Sequence, residues 1–204
     1  MNVLIITLLV FFSTSVESDN GLFRASVQYG GGAELITESF ALYDRYGDVM
    51  YTKRDIPVNT FFINNTGSVF ALNEHCLYLY QRDGSEIMLR ELVYPNGFSF
   101  SPDNSLFFAS DRDGLYAYSH DGDLVHVYHP GRLFASTGHG DCVAVISADT
   151  LFVYENGTLR DTEFLSSPYA HGMFFSADEK QIWVQYRNGN EIYDTRTRAW
   201  VKQK

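Results

Sequence analysis

A short apolar strand carrying an aromatic residue and running into a turn recurs five times along this chain. The five copies are Phe40-Ala41-Leu42-Tyr43, Leu77-Tyr78-Leu79-Tyr80, Leu115-Tyr116-Ala117-Tyr118, Leu151-Phe152-Val153-Tyr154 and Glu191-Ile192-Tyr193. The anchoring tyrosines Tyr43, Tyr80, Tyr118, Tyr154 and Tyr193 are spaced by 37, 38, 36 and 39 residues. Four of the turns that follow contain glycine: Gly47, Gly84, Gly122 and Gly157. Self-similarity at this period marks a repeat architecture in which one supersecondary unit is used many times.

Each period divides into four strands, A to D. In the third, strand A is 97–100, strand B 105–110, strand C 115–119 and strand D 124–128, separated by Ser101-Pro102-Asp103-Asn104, Asp111-Arg112-Asp113-Gly114 and His120-Asp121-Gly122. These are turn formers, which supply left-handed or pre-set backbone angles. The second period gives strands over 60–63, 69–72, 77–80 and 86–92, and the fifth gives 173–175, 181–186, 191–193 and 199–202. The rest of the repeat region carries no helical periodicity. Aromatic residues make up 16% of the chain, with 14 Tyr and 16 Phe, an excess that suits half-buried pleated surfaces. The expected fold is all-β: a β-propeller of about five four-stranded blades, over about 22–57, 58–95, 96–131, 132–168 and 169–204. Aromatic pairs such as Tyr78 and Tyr80, or Tyr116 and Tyr118, share a strand face and are expected to pack blade against blade.

The third repeat resembles the WD40-like propeller repeat of the TolB type. The resemblance rests on Phe100-Ser101-Pro102-Asp103-Asn104 and on Phe108-Ala109-Ser110-Asp111-Arg112-Asp113-Gly114, and Phe175-Ser176-Ala177-Asp178-Glu179 echoes it in the fifth repeat. The phrase from Leu115 to Gly122 is also similar to PQQ-like propeller repeats. Such a resemblance implies a blade and, most often, an interaction scaffold, with some enzymes among the members.

The segment Val3 to Phe12 reads VLIITLLVFF, and Val16 and Ser18 are small enough for the −3 and −1 positions of a signal-peptidase site. Residues 1–18 are therefore expected to be a signal peptide, with 19–204 a single propeller domain exported to the periplasm or the extracellular medium. An N-terminal strand is the competing reading of the same β-branched run. With strand A placed near Leu22, no strand remains to overlap the last blade. The ring then closes by packing of its end blades, borrows the N-terminal segment, or stays an open arc that pairs with a second copy through exposed edges. Closure is the expectation.

The net charge of −10 opposes general nucleic-acid binding and docking on anionic lipid. Cys76 and Cys142 fall in different repeats and are expected to be free thiols. The chain has no G-x-S-x-G or H-E-x-x-H motif and no phosphate loop, since Gly30-Gly31-Gly32 lacks the lysine and helix of one. No cofactor and no metal are expected. His126 and His129 lie three apart on one strand, and His139 and His171 are read as solvated loop residues. Asp111 and Asp113 flank Arg112 in one turn and read as turn formers rather than as an acid pair. Sequons occur at Asn64-Asn65-Thr66 and Asn156-Gly157-Thr158, both in predicted turns.

Strand polarity gathers the D-to-A and B-to-C loops at one end of the blades. That end collects Tyr94, Asp111, Arg112, Asp113, Tyr169, His171 and Arg187, the candidate binding residues, together with Arg54, Asp55, Glu74, His75, Asn96, Asp149 and Asn188. Tyr and Arg are the side chains that anchor interfaces. The sequence thus points to an exported, non-catalytic propeller that binds a protein, peptide or glycan. The alternative is a glycoside hydrolase or lyase with a shallow site on the same loops.

Overall fold

A computed structural model describes residues 12–30, 36–54, 58 and 60–201. Among them there are twenty strands and no helix, arranged as five four-stranded antiparallel sheets. Each sheet is a simple meander. Sheet 1 holds β1 (Phe12–Glu17), β2 (Phe23–Gly30), β3 (Ile36–Asp44) and β4 (Val49–Arg54). Sheet 2 holds β5 (Thr60–Ile63), β6 (Val69–Asn73), β7 (Cys76–Tyr80) and β8 (Glu86–Glu91). Sheet 3 holds β9 (Gly97–Phe100), β10 (Leu106–Ser110), β11 (Leu115–Ser119) and β12 (Leu124–Tyr128). Sheet 4 holds β13 (Leu133–Ser136), β14 (Cys142–Ser147), β15 (Thr150–Glu155) and β16 (Thr158–Phe164). Sheet 5 holds β17 (Gly172–Phe175), β18 (Gln181–Tyr186), β19 (Gly189–Asp194) and β20 (Ala199–Trp200). The chain divides into two compact units, Met1–Glu91 with sheets 1 and 2, and Leu92–Lys204 with sheets 3 to 5.

All five anchoring tyrosines lie on third strands. Four third strands carry a register shift against the fourth, at Leu42/Tyr43, Leu77/Tyr78, Ala117/Tyr118 and Val153/Tyr154. Such a bulge sharpens the local twist, which fans the outer strand away from the inner three. The glycines of the third turn, Gly47, Gly84, Gly122 and Gly157, all have φ between 75° and 91°. That is the left-handed region for which glycine has no steric penalty.

The turn between first and second strands repeats as one device. At its first position stands Ser18, Asn64, Ser101, Thr137 or Ser176. The side-chain oxygen accepts the N–H of the residue that opens the second strand or, in sheet 2, of Ser68 just before it. Phe23 donates to Ser18 Oγ at 3.1 Å, Ser68 to Asn64 Oδ1 at 2.8 Å, Leu106 to Ser101 Oγ at 3.0 Å, Cys142 to Thr137 Oγ1 at 3.0 Å and Gln181 to Ser176 Oγ at 3.0 Å. The fourth position of every copy has positive φ: Gly21, Gly67, Asn104, Gly140 and Glu179. Its N–H closes back on the carbonyl of the first residue. We refer to this arrangement as the turn latch. Four of the five latching side chains are buried, where a lost partner leaves a backbone donor unsatisfied.

The latch at Ser18 dates the first repeat earlier than the sequence reading. Phe12–Glu17 is the first strand of sheet 1, paired from Phe12↔Tyr29 to Glu17↔Arg24, and the strand beginning near Leu22 is the second. Sheet 1 therefore spans 12–54 rather than starting at 22. Residues 1–11, Gly31, Gly32, Asp55 and Lys202 lie outside the described residues.

Sheets stack face to face within each unit. In sheet 4, Ala144 and Ile146 on β14 face Ile182 and Val184 of sheet 5, while Val143 and Val145 face Phe108 and Leu115 of sheet 3. The two-residue period of a strand thus splits one strand between two cores. This is why β14 is buried without interruption from Val143 to Ile146. In the first unit Phe40, Ala25 and Val27 pack on Phe61, Val69 and Ala71, and the Tyr80 ring lies 5.4 Å from that of Phe40. The aromatics of the repeat thus serve inter-sheet packing, as their spacing implies.

Ser101→Ala removes one latch and should lower unfolding stability by about 1 kcal/mol. Ser99→Ala, an exposed change two residues away, should leave stability nearly unchanged. Urea denaturation checks this, and equal losses for the two variants would contradict the latch.

Candidate functional site

In the second unit the predicted loops do meet at one end of the sheets. The loop leaving sheet 2 is tied to the β10–β11 turn: Arg112 N–H donates to the Val93 carbonyl at 2.9 Å and Asn96 N–H to that of Ser110 at 2.9 Å. Leu165 N–H donates to the Asp149 carbonyl at 2.8 Å, and His171 N–H to that of Gln185 at 2.9 Å. Arg132 reaches the Pro168 carbonyl with its guanidinium.

Two clusters of candidate residues form there. In the first, Tyr94 projects into solvent with 72% of its surface exposed, from a backbone at φ 56°. The Arg112 guanidinium stands 5.8 Å from the Tyr94 ring centre, within cation–π range. Its Nε also lies 3.3 Å from Asp113 Oδ1 in an exposed ion pair. Asp111 does not join them. It is 1% exposed, and its carboxylate is filled from inside by the N–H groups of Val93 at 2.9 Å, Asp113 at 2.8 Å and Gly114 at 2.9 Å. Asp111 is a staple between two loops and has no surface to offer a ligand.

The second cluster is a cleft of about 540 Å³ between the loop before β17 and the β18–β19 hairpin. That volume lies in the range of ligand pockets. Tyr169 and Arg187 both line it; His171, one turn away, does not. Tyr169 is 79% exposed. Arg187 and Asn188 are the two residues of a tight hairpin in which Tyr186 pairs with Gly189. Glu191 stands on the cleft wall. Its carboxylate takes the Tyr186 hydroxyl at 2.6 Å and the Ser166 N–H at 3.3 Å. Burial, and then the neighbouring Glu191 carboxylate, push the Tyr186 phenol above its ordinary range. Tyr186 and Glu191 escaped the sequence reading because strand residues were assigned to packing. The polar hairpin Tyr186-Arg187-Asn188-Gly189-Asn190-Glu191 was the available signal.

A separate apolar groove of about 430 Å³ runs along the first strands β9, β13 and β17, lined by Phe100, Phe134, Met173 and Phe175 among others. At the opposite end of the unit the latched turns bind one another. Asp103 N–H donates to the Gly138 carbonyl at 3.1 Å and Gly138 N–H to Glu179 Oε1 at 2.6 Å, and His139 Nδ1 lies 2.5 Å from Asp103 Oδ2. That end is cross-tied scaffold. In the first unit Asn64 of one sequon is 1% exposed and its Oδ1 is the latch of sheet 2; in the second unit Asn156 of the other sequon is exposed. Cys76 and Cys142 are free thiols, and burial raises the Cys142 thiol to about 11. Among the described residues no group of three His, Cys, Asp or Glu is placed to hold a metal ion.

No protein-family model and no curated protein matches the chain. Solved structures do. The crystal structure of Kluyvelomyces marxianus Hsv2 is 11% identical with a TM-score of 0.55, over 88% of this chain and 71% of that one. Hsv2 is a β-propeller. This chain has a β-propeller fold of five four-stranded blades. In all, 684 solved chains share the likeness, and a fold so widely reused does not by itself select a function.

Electrostatics at the latched end give a pH signature. Burial works against the Asp103 carboxylate, but hydrogen bonds from Ser101, Ser105 and His139 outweigh it and bring Asp103 down to about 2. The hydrogen bond to Asp103, and then its charge, raise His139, with Asp141 and Glu179 adding to the effect. Asp103 contributes stability above its ordinary 3.8 and loses it as pH falls toward 2. His139 contributes below its ordinary 6.5 and loses it as pH rises through its raised value. The stability lost in His139→Asn should therefore be greatest between pH 3.8 and 6.5 and shrink above that window. Thermal melts across pH check this; a loss independent of pH would contradict the pairing.

Proposed function

We propose that this propeller is a non-catalytic recognition module of the WD40-like, TolB-type class that engages its partner through the loop end carrying Tyr94, Arg112, Tyr169 and Arg187. The observation that carries this is the exposure of the two tyrosines beside two guanidinium groups. Loop aromatics held on a rigid sheet scaffold are costly to leave in water and are suited to anchoring an interface. Tyr94 is kept there from a left-handed backbone that only a few per cent of non-glycine residues adopt. Arg187 is exposed at the tip of the β18–β19 hairpin.

The binding reading is supported over the enzymatic one by the use already made of the carboxylates. Asp111 is filled by three backbone N–H groups, and Glu191 is held by a phenol and an amide. A pair of carboxyl groups facing across a gap, as glycoside hydrolysis requires, is not what either arrangement offers.

The test is a triple variant, Arg112→Ala with Tyr169→Ala and Arg187→Ala, used in capture from the native medium. Binding of the partner should be lost with the melting temperature unchanged. Full retention of binding would contradict the assignment of this end, and catalytic turnover of a captured substrate would favour the hydrolase or lyase reading.

A further inference from the structure

We infer that the Tyr169–Arg187 cleft takes a neutral glycan, an assignment that rests on the recognition reading above and narrows it to one ligand class. The side chains that line the cleft are Ser, Tyr, Arg, Asn and Glu, with Gly189 between them and no aliphatic side chain. A peptide is recognised by pairing with a free strand edge, by apolar pockets for anchor side chains, or by an aromatic groove that fits a proline helix. Here β18 and β19 pair with each other through to the hairpin, and β20 pairs only with Tyr193 and Asp194, so Gly189 to Glu191 keep a short open edge, below the usual length of a strand. The cleft has no apolar pocket for an anchor side chain. A saccharide asks for the opposite set: an aromatic face for the C–H side of a ring, and planar amide or guanidinium groups that satisfy pairs of hydroxyls.

The cleft presents that set. Tyr169 gives an aromatic ring whose surface is mostly in solvent. Asn188 sits in the hairpin turn and Asn190 follows it on β19, each with an amide able to donate and accept at once. Arg187, exposed and lining the cleft, adds a fork of donors. Glu191, which lines the cleft, is held in a set geometry by Tyr186 at 2.6 Å and by Ser166 at 3.3 Å. A second aromatic, Tyr186, forms the wall behind it. The volume of about 540 Å³ suits two or three sugar rings in an open cleft. The net charge of −10 opposes sulfated or polyuronate chains, which leaves neutral hexose or N-acetylhexosamine polymers.

The experiment is calorimetric titration with hexasaccharides of β-1,4-glucose, β-1,3-glucose, α-mannose and β-1,4-N-acetylglucosamine, with heparin as the polyanionic comparison. At least one neutral hexasaccharide should bind and heparin should not. Tyr169→Ala should weaken binding about tenfold, while Tyr169→Phe, which keeps the ring, should hold it near the parent value. Asn188→Ala with Asn190→Ala should weaken it by a similar factor, all with unchanged melting temperature. Failure of all four neutral probes, or binding indifferent to Tyr169→Ala, would overturn the inference. The two readings fail separately. A captured partner that depends on Tyr169 and Arg187 but still binds after enzymatic deglycosylation removes the glycan assignment and keeps the recognition end; a partner indifferent to the triple variant removes both.

Discussion

A single hydrogen bond, from an amide at the start of the second strand to a side-chain oxygen at the start of the turn before it, recurs five times among the described residues, with the oxygen buried in four of them. It sets where each first strand ends and each second strand begins. The oxygen lies on Ser, Asn or Thr, which are the residue types whose short polar side chains compete for local backbone donors. Because the fourth turn position is held at positive φ in every copy, the turn cannot slip by a residue without forcing a side chain into the wrong backbone region. A slip of one would also flip every side chain to the other face of the strand. In sheet 4 that would exchange the two cores into which β14 divides its residues.

Fixed register has a consequence at the far end of the sheets in the second unit. The turns at the latched end are spent on one another, through Asp103, Gly138, His139 and Glu179. The loops at the other end are tied by backbone bonds and by the inward-turned carboxylate of Asp111, which leaves Tyr94, Arg112, Tyr169 and Arg187 pointing outward. Polar groups are thus divided between the two ends of the unit: one end ties them to one another, and the other leaves Tyr94, Arg112, Tyr169 and Arg187 exposed.

Much of this was legible in the residues. Asp-Gly, Pro-Asp and Pro-Gly turns bracket the strands of sheet 3 so closely that β9, β11 and β12 fall on the expected residues. The tyrosine period located the third strand of every sheet. The first strand was missed because Phe12–Glu17 adjoins a long apolar run that also reads as a leader, and Ser18-Asp19-Asn20-Gly21 was not recognised as a copy of Ser101-Pro102-Asp103-Asn104. Their likeness lies in a side-chain oxygen and a left-handed fourth residue, not in identity. Strand polarity alone groups Asp111 with the binding residues; burial is a tertiary property, and three amides aimed at it from two loops cannot be seen in one segment. Tyr186 and Glu191 were missed for the converse reason. They sit on strands, and a strand tyrosine in this chain is usually core, whereas here the hairpin carries it to the edge of a cleft.

Native-state hydrogen exchange of the five latched amides, Phe23, Ser68, Leu106, Cys142 and Gln181, tests the central claim most directly. If the five meanders are equivalent latched units, all five amides are protected, and Phe23 exchanges on the same scale as Leu106. Rapid exchange at Phe23 beside slow exchange at Leu106 would show that Phe12–Glu17 is not held as a strand, and that the repeat does not begin where the latch places it.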